Sequence, residues 1–320
     1  MLYLILFLLS FSLTYLIKEY AIKKSLVATV NERSSHTVPT PHGGGIAVGL
    51  TWFVGLIYLY INGQIDPTLF FALMLGVVIA VVGLVDDIVE LSPKVRMIVF
   101  SLVGATGLYL IGGLNTLTFG VFDISNSFIT SAFAMLLILW YINLTNFIDG
   151  INGYLGMKFV FLGLAGFLLF SGAHFLVLAM SILGFLYWNF ANAKIFMGDV
   201  GSTLLGYTIA IITIYYANID ASNLWIWITL YGVFWFDATF TLIRRKLNGE
   251  RLSQAHKKHA YQRLTQSGWS HSKVTLYALG LNLLIFALVY FIPNIAVSFA
   301  FSLVLLYGAY KFVDSKKRFE

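Results

Sequence analysis

The residues in this chain with the makings of a reaction centre are carboxylates and amides held in short glycine-bearing segments. One segment reads Gly83-Leu-Val-Asp86-Asp87-Ile-Val-Glu90-Leu-Ser-Pro-Lys94. Two adjacent carboxylates at a helix end, with no cation next to them in the sequence, repel each other, and a bound cation relieves that repulsion. A hard divalent ion such as Mg2+ takes one or two carboxylates and fills its shell with substrate phosphates. The alternative is a solvated helix end. Lys94 closes the segment as a cation for substrate. A second segment reads Asn143-Leu-Thr-Asn146-Phe-Ile-Asp149-Gly150. Its spacing of three puts Asn143, Asn146 and Asp149 on one helical face or turn. That face suits a base, a ribose or a cation better than lipid, although polar contacts between helices would also use it. A third reads Lys194-Ile-Phe196-Met-Gly198-Asp199-Val-Gly201-Ser202. Gly198 and Gly201 permit close backbone approach to a ligand. Ser202 is expected to open a helix whose N-terminus attracts an anion.

A fourth segment, 244–273, carries eight Lys or Arg residues and His256, His259 and His271. Beside acidic segments, it suits a polyanionic substrate held with a metal. His256, His259 and Arg263 are spaced by three and four, so on a helix they form one stripe. Arg245, Lys246 and Lys273 fit ordinary charge bias. Asp237 lies seven residues before Arg244, on the same helical face, where a structural contact and a catalytic role remain open. The first such segment, 31–45, is rich in Pro and Gly (Pro39-Thr-Pro41-His42-Gly43-Gly-Gly45) and can border a phosphate site.

These segments are positioned by long apolar stretches. The 320 residues are 59% hydrophobic and 11% charged, which excludes an ordinary soluble domain. Cysteine is absent, so neither a disulfide framework nor a Cys-based metal site exists. About eleven membrane helices are expected, near 2–20, 44–61, 68–85, 97–112, 128–145, 155–171, 174–190, 203–217, 223–243, 274–292 and 294–312. The connections 63–68, 112–127, 172–174, 218–223 and 293–294 hold no Lys or Arg. The intervening ones, 21–43, 86–96, 191–202 and 244–273, do, and 146–154 is followed closely by Lys158, which makes these five cytoplasmic. The N-terminus is then outside and the C-terminus cytoplasmic. Residues 113–127 alternate in part and predict a small outside hairpin. The first apolar stretch lacks a basic n-region and a cleavage motif and reads as an uncleaved helix. Residues 1–320 read as one all-α polytopic membrane domain. The net charge of +6 lies on one face, which favours anionic lipid over nucleic acid.

Together the motifs resemble those of the polyprenyl-phosphate N-acetylhexosamine-1-phosphate transferases, of glycosyltransferase family 4 type. This family includes phospho-N-acetylmuramoyl-pentapeptide transferase and the undecaprenyl-phosphate GlcNAc-1-phosphate transferases of O-antigen and teichoic acid synthesis. The resemblance runs over about residues 30–265, in order: Pro-Thr-x-x-Gly-Gly-Gly, Val-Asp-Asp, Asn-x-x-Asn-x-x-Asp-Gly, Phe-Met-Gly-Asp-x-Gly-Ser, then the His-bearing segment. It implies Asp199 as the principal Mg2+ ligand, with Mn2+ as a substitute. It implies Asp86 and Asp87 near the lipid phosphate and metal, and Asn146 and Asp149 on the nucleotide and metal side. It implies Phe196 stacked on uracil, with His256, His259 and Arg263 at the substrate. The His256-Lys-Lys-His259 spacing departs from a compact triple-His motif and is similar to the O-antigen-initiating branch. The partners implied are a UDP-HexNAc donor, undecaprenyl phosphate and membrane lipids, in a bacterial inner membrane, with a homodimer compatible.

The reaction so implied is attack of a polyprenyl-phosphate oxygen on the β-phosphorus of UDP-GlcNAc or a UDP-6-deoxy-HexNAc, releasing UMP. Such transfer relies on positioning and charge neutralisation. Asp86, Asp87, Asp199 and His259 are the expected catalytic residues, and a covalent aspartyl-phosphate route is an alternative. An ion-coupled transporter would place its carboxylates near the bilayer midplane. An intramembrane prenyltransferase would carry a second multi-acid motif beside Asp86-Asp87-x-x-Glu90. A scaffold has no use for these motifs.

Overall fold

The computed structural model describes residues 1–23, 27–28, 40–252, 254 and 256–319. Arg33, His36 and Pro39 of the first basic segment therefore lie outside the described residues. Helix α1 (Leu2–Lys23) precedes a two-residue antiparallel ribbon of β1 (Val27–Ala28) and β2 (Thr40–Pro41), with Val27 opposite Pro41. Then come α2 (Gly44–Ile61), α3 (Pro67–Met74), α4 (Gly76–Val89) and α5 (Pro93–Leu110). A hairpin of β3 (Leu117–Thr118) and β4 (Asp123–Ile124) follows, within the stretch that predicted one. The rest is helical: α6 (Ser127–Ile148), α7 (Tyr154–Phe170), α8 (Ala173–Asn189), α9 (Gly198–Ile219), α10 (Ser222–Leu230), α11 (Gly232–Leu247), α12 (Ala260–Gln266), α13 (His271–Phe291) and α14 (Ile295–Lys316).

Helix starts follow local chemistry. Asp66, Ser92, Asn126 and Asn294 each place a side-chain oxygen on first-turn amides, and Pro67 and Pro93 occupy first-turn positions where no N–H is needed. Each of the eleven predicted segments coincides with a helix or a broken pair, α3–α4 and α10–α11. Helix α12 is additional. The starts differ most at α9, which begins at Gly198 rather than near 203.

Among the described residues, seven helical spans are long and apolar enough to cross a membrane, or eight if the pair broken by 72° between α10 and α11 counts as one. Helices α7 and α8 are apolar but shorter. The bundle is organised around α9: 94% of its 18-residue apolar stretch is buried, against 17% of the corresponding stretch of α1 at the periphery. Helices α2, α4 and α6 pack directly on α9. Its first turn carries Asp199, so the central helix delivers a carboxylate to one end of the bundle.

Candidate active site

Asp86 and Asp87 lie in the last turn of α4, which crosses the first turn of α9. Glycine makes that crossing close. A Cβ on Gly83 would lie 2.6 Å from the Asp199 carbonyl, and one on Gly198 would lie 2.6 Å from Asp87 Oδ2. Gly198 also has φ +75°, a left-handed conformation that glycine adopts without strain. Asp87 Oδ1 accepts the Asp199 N–H at 3.1 Å, and Oδ2 accepts that of Val200 at 3.5 Å. Asp87 thus caps α9 from another helix. Two expectations are corrected here. Ser202 sits inside α9 rather than at its start, and the leading amides of α9 face a carboxylate of this chain. Gly201 makes room for Gly45 of α2, not for a ligand: its Cβ would fall 2.8 Å from Gly45 Cα.

The sequence placed no cation beside Asp86, but the structure does. Arg96, in the first turns of α5, pairs with Asp86 Oδ2 and reaches Asp199 Oδ2 at 3.2 Å, so one guanidinium bridges two carboxylates from different helices. Asp86 Oδ1 accepts the Leu91 N–H at 2.7 Å, which anchors the turn between α4 and α5. Lys94, the cation favoured from sequence, is exposed two residues earlier. The signal that distinguishes them is rotation: residues two apart on a helix face different ways.

Asn146 and Asp149 close the third side. Asn146 Nδ2 donates to Ser202 Oγ at 3.2 Å. Asp149 follows the end of α6 in a half-buried position. Burial, reinforced by the charges of Asp199 and Asp87, raises its carboxyl to about 8. Asn143 is turned away from this group and donates to Leu139 O of its own helix at 2.7 Å.

Phe196 is half-buried, and its ring meets His42 edge-on at 6.4 Å. The main chain holds both: Phe196 N–H donates to Pro41 O at 2.8 Å, and Gly44 N–H donates to Phe196 O at 2.9 Å. His42 lies within charge–charge range of Asp87. Its place in a Pro- and Gly-rich run next to a phosphate-type segment was the available signal for it.

The 244–266 segment behaves differently. Helix α12 starts only at Ala260, so His256, His259 and Arg263 do not form one helical stripe. Arg263 is buried, donates from Nη1 to Asp314 Oδ1 at 2.6 Å and Lys317 O at 2.9 Å, and lies against α14. Its Nε and Nη2 have no hydrogen-bond partner among the described residues, nor has His259 Nδ1. That His259 nitrogen lies 3.6 Å from Asp237 Oδ1. Asp237 accepts the Ala260 N–H at 2.7 Å and the Tyr261 N–H at 3.4 Å, so its role is to cap α12. His256 is lowered to about 4, first by burial and then by His259 and Arg245, and is neutral at pH 7. Arg245, read from sequence as charge bias, is buried and gathers Glu250, Arg251 O and Gln254 O. Tyr261 connects the segment to the acidic side: its Oη donates to Phe147 O at 3.1 Å and abuts Gly150.

Among the described residues, no three His, Cys, Asp or Glu side chains are close enough to enclose a metal ion. The donors fit an ion that takes one or two carboxylates and leaves its other positions to phosphate and water. Asp87 is exposed and Asp199 half-buried, and both act electrostatically on Asp149.

Residues 69–217 match the model of glycosyl transferase family 4. The probable undecaprenyl-phosphate N-acetylglucosaminyl 1-phosphate transferase of Bacillus subtilis is 33% identical over 299 residues, covering 87% of this chain and 80% of its own. The undecaprenyl-phosphate alpha-N-acetylglucosaminyl 1-phosphate transferase of Thermotoga maritima is 28% identical over 261 residues, 80% of this chain and 79% of its own. The decaprenyl-phosphate N-acetylglucosaminephosphotransferase of Mycobacterium tuberculosis is 29% identical over 305 residues, 81% of this chain and 74% of its own.

Proposed function

This chain belongs to glycosyl transferase family 4, and from that membership we propose that it transfers N-acetylhexosamine 1-phosphate from a UDP-HexNAc to polyprenyl phosphate, releasing UMP. The relatives' names favour GlcNAc 1-phosphate as the group transferred and undecaprenyl phosphate as acceptor, and UDP-GlcNAc is the donor assigned in this reading. The observation that carries the reading is the convergence of Asp86, Asp87, Asp149 and Asp199, from three separate segments, at one end of the bundle with Arg96 among them.

An oxygen of the acceptor phosphate attacks the β-phosphorus. The bond from that phosphorus to the bridging oxygen breaks, and UMP leaves with the electron pair. A phosphate monoester is mostly dianionic at neutral pH, so the acceptor needs little help from a base. Asp87, fixed by two main-chain amides, is an orienting group, while Arg96 offsets charge between Asp86 and Asp199. Mg2+, or Mn2+ in its place, held by Asp199 with Asp87 or Asp149, would supply charge neutralisation at the diphosphate. Asn146 and Phe196 face the nucleotide in this reading, and His259 the sugar phosphate.

The same reading gives eleven spans, with α5, α7 and α8 crossing alongside the longer helices. The acidic end and the C-terminal tail lie on the cytoplasmic face of a bacterial inner membrane. The Arg263 bond to Lys317 O, which puts the tail on the 244–266 segment, supports placing the two on one face. A homodimer is compatible with this arrangement. The test is incubation of the purified protein with a panel of labelled UDP-sugars and undecaprenyl phosphate, with both products identified. UMP together with a lipid diphospho-sugar is expected. UDP together with a lipid monophospho-sugar would refute the reading.

A further inference from the structure

Lys158 is buried in α7, 2% exposed, and no carboxylate among the described residues pairs with it. A lone ammonium inside a helical bundle is costly, so its partners identify its purpose. Nζ donates to Leu230 O and to Asn282 Oδ1, each at 2.6 Å. The rings of Phe161, Tyr231 and Phe234 lie 5.2–5.7 Å from it, in cation–π range.

Leu230 is the last residue of α10, where the chain bends by 72° into α11. In an unbroken helix its carbonyl would accept the Phe234 N–H. Here Phe234 N–H goes to Tyr231 O at 3.0 Å. Lys158 therefore satisfies a carbonyl exposed by the bend. A second tether, Tyr231 Oη to Thr145 Oγ1, ties the same break to α6.

We propose that Lys158 is a positioning residue: by holding the α10–α11 break, it seats the 256–266 segment against the turn that carries Asp149. The connection is continuous. Helix α11 carries Asp237, Asp237 caps α12 through the amides of Ala260 and Tyr261, and Tyr261 bonds Phe147 O and packs on Gly150, next to Asp149. Asn282, itself buried in α13, shares the ammonium and fixes its direction. As a claim about catalysis, this inference rests on the transfer reaction proposed above; as a claim about geometry, it does not.

The test uses Lys158→Met in the full-length protein in lipid nanodiscs, with steady-state kinetics and hydrogen exchange. Turnover is expected to fall by about 10- to 100-fold, because small displacements far from the reacting atoms have effects of that order. KM for the nucleotide sugar and for the lipid should stay within about twofold. Exchange should rise in 256–266 and not in α9. Turnover near wild type with unchanged exchange in 256–266 would overturn the proposal. So would an equal rise of exchange throughout the bundle, which marks a general loss of packing. If Lys158→Met does not fold, Asn282→Ala, which leaves the Leu230 bond in place, is read the same way. It should give a several-fold loss of turnover and a smaller rise in 256–266, and no change in either would refute the idea. If the wild-type protein transfers no sugar phosphate, the function reading fails, and the exchange pattern alone still decides the geometry.

Discussion

At the contact of α4 with α9, the carboxylates of Asp87 and Asp199 stay partly open to solvent. In the 244–266 segment, by contrast, Arg245 and Arg263 are buried and hold carbonyls and carboxylates of this chain. The acidic region is rich in unspent charge because its groups repel each other and, among the described residues, one guanidinium, that of Arg96, bridges two of them. The basic region is crosslinked: Arg244 and Arg263 share Asp314, and Arg245 and Lys258 share Glu250. A count of formal charges makes the basic segment look like the substrate's anchor. The geometry makes it largely a structural clasp, and the proposed chemistry is assigned to the acidic side for that reason.

That contrast breaks most visibly at Asp199. Asp199→Asn should reduce turnover by about 100- to 1,000-fold, the scale seen when one preorganised electrostatic group is removed from a reaction site. Its elution and helix content should be unchanged. A near-normal Mg2+-dependent rate would take the metal role away from Asp199. Next comes Arg96→Ala, which leaves Asp86 and Asp199 facing each other without their bridge. Turnover should fall by about tenfold or more, with partial recovery in Arg96→Lys, since lysine keeps the charge and loses the fork. Equal activity in all three proteins would mean that the bridge is incidental.

The contrast sharpens at two further residues. Phe196→Ala should raise KM for the UDP-sugar by the equivalent of about 1–3 kcal/mol of lost base stacking, and leave KM for the lipid alone. A selective effect on the lipid would assign Phe196 to the acceptor side. Arg263→Ala should act on stability more than on chemistry. It loses a buried contact to a half-exposed carboxylate that Arg244 also holds, so about 1–3 kcal/mol is expected, read as a lower midpoint of thermal unfolding. UMP inhibition should not change; a marked weakening would place Arg263 in the nucleotide pocket.

The smallest effect concerns pH. The Asp149 carboxyl is raised from 3.8 to about 8 in the folded, metal-free protein, so the folded state binds the proton more tightly than the unfolded one. Its contribution to stability is therefore greatest below pH 4 and declines as pH rises towards about 8. Asp149→Asn should flatten that part of the stability profile, measured with chelator present. An unchanged slope would assign the raised value to another group.

Much of the acidic site was legible in the sequence because each of its parts is local. Asp86-Asp87, Asn146-x-x-Asp149 and Gly198-Asp199 carry their meaning within four residues, and the long apolar spans between them fix which parts share a face. The Arg96 bridge was not legible, because it depends on how α5 leaves the turn after α4 and on where α9 begins. Placing the start of α9 near 203 hid the capping of its first turn by Asp87, a contact across 112 residues. The stripe expected of His256, His259 and Arg263 failed for a related reason. A distant carboxylate, Asp237, fixes where α12 starts, and helical spacing has no meaning before that point. In the sequence Lys158 reads as a cytoplasmic-side cation just after 146–154, since one-dimensional charge patterns do not distinguish a loop cation from one buried against a helix break.

The central claim is that a phosphorus atom moves with the sugar. Donor UDP-GlcNAc labelled at the β-phosphorus, incubated with the protein, Mg2+ and undecaprenyl phosphate, measures that directly. The label should pass into the lipid fraction together with GlcNAc, and the released nucleotide should carry none. Label recovered in the nucleotide, with unlabelled phosphorus beside the sugar on the lipid, would contradict the account.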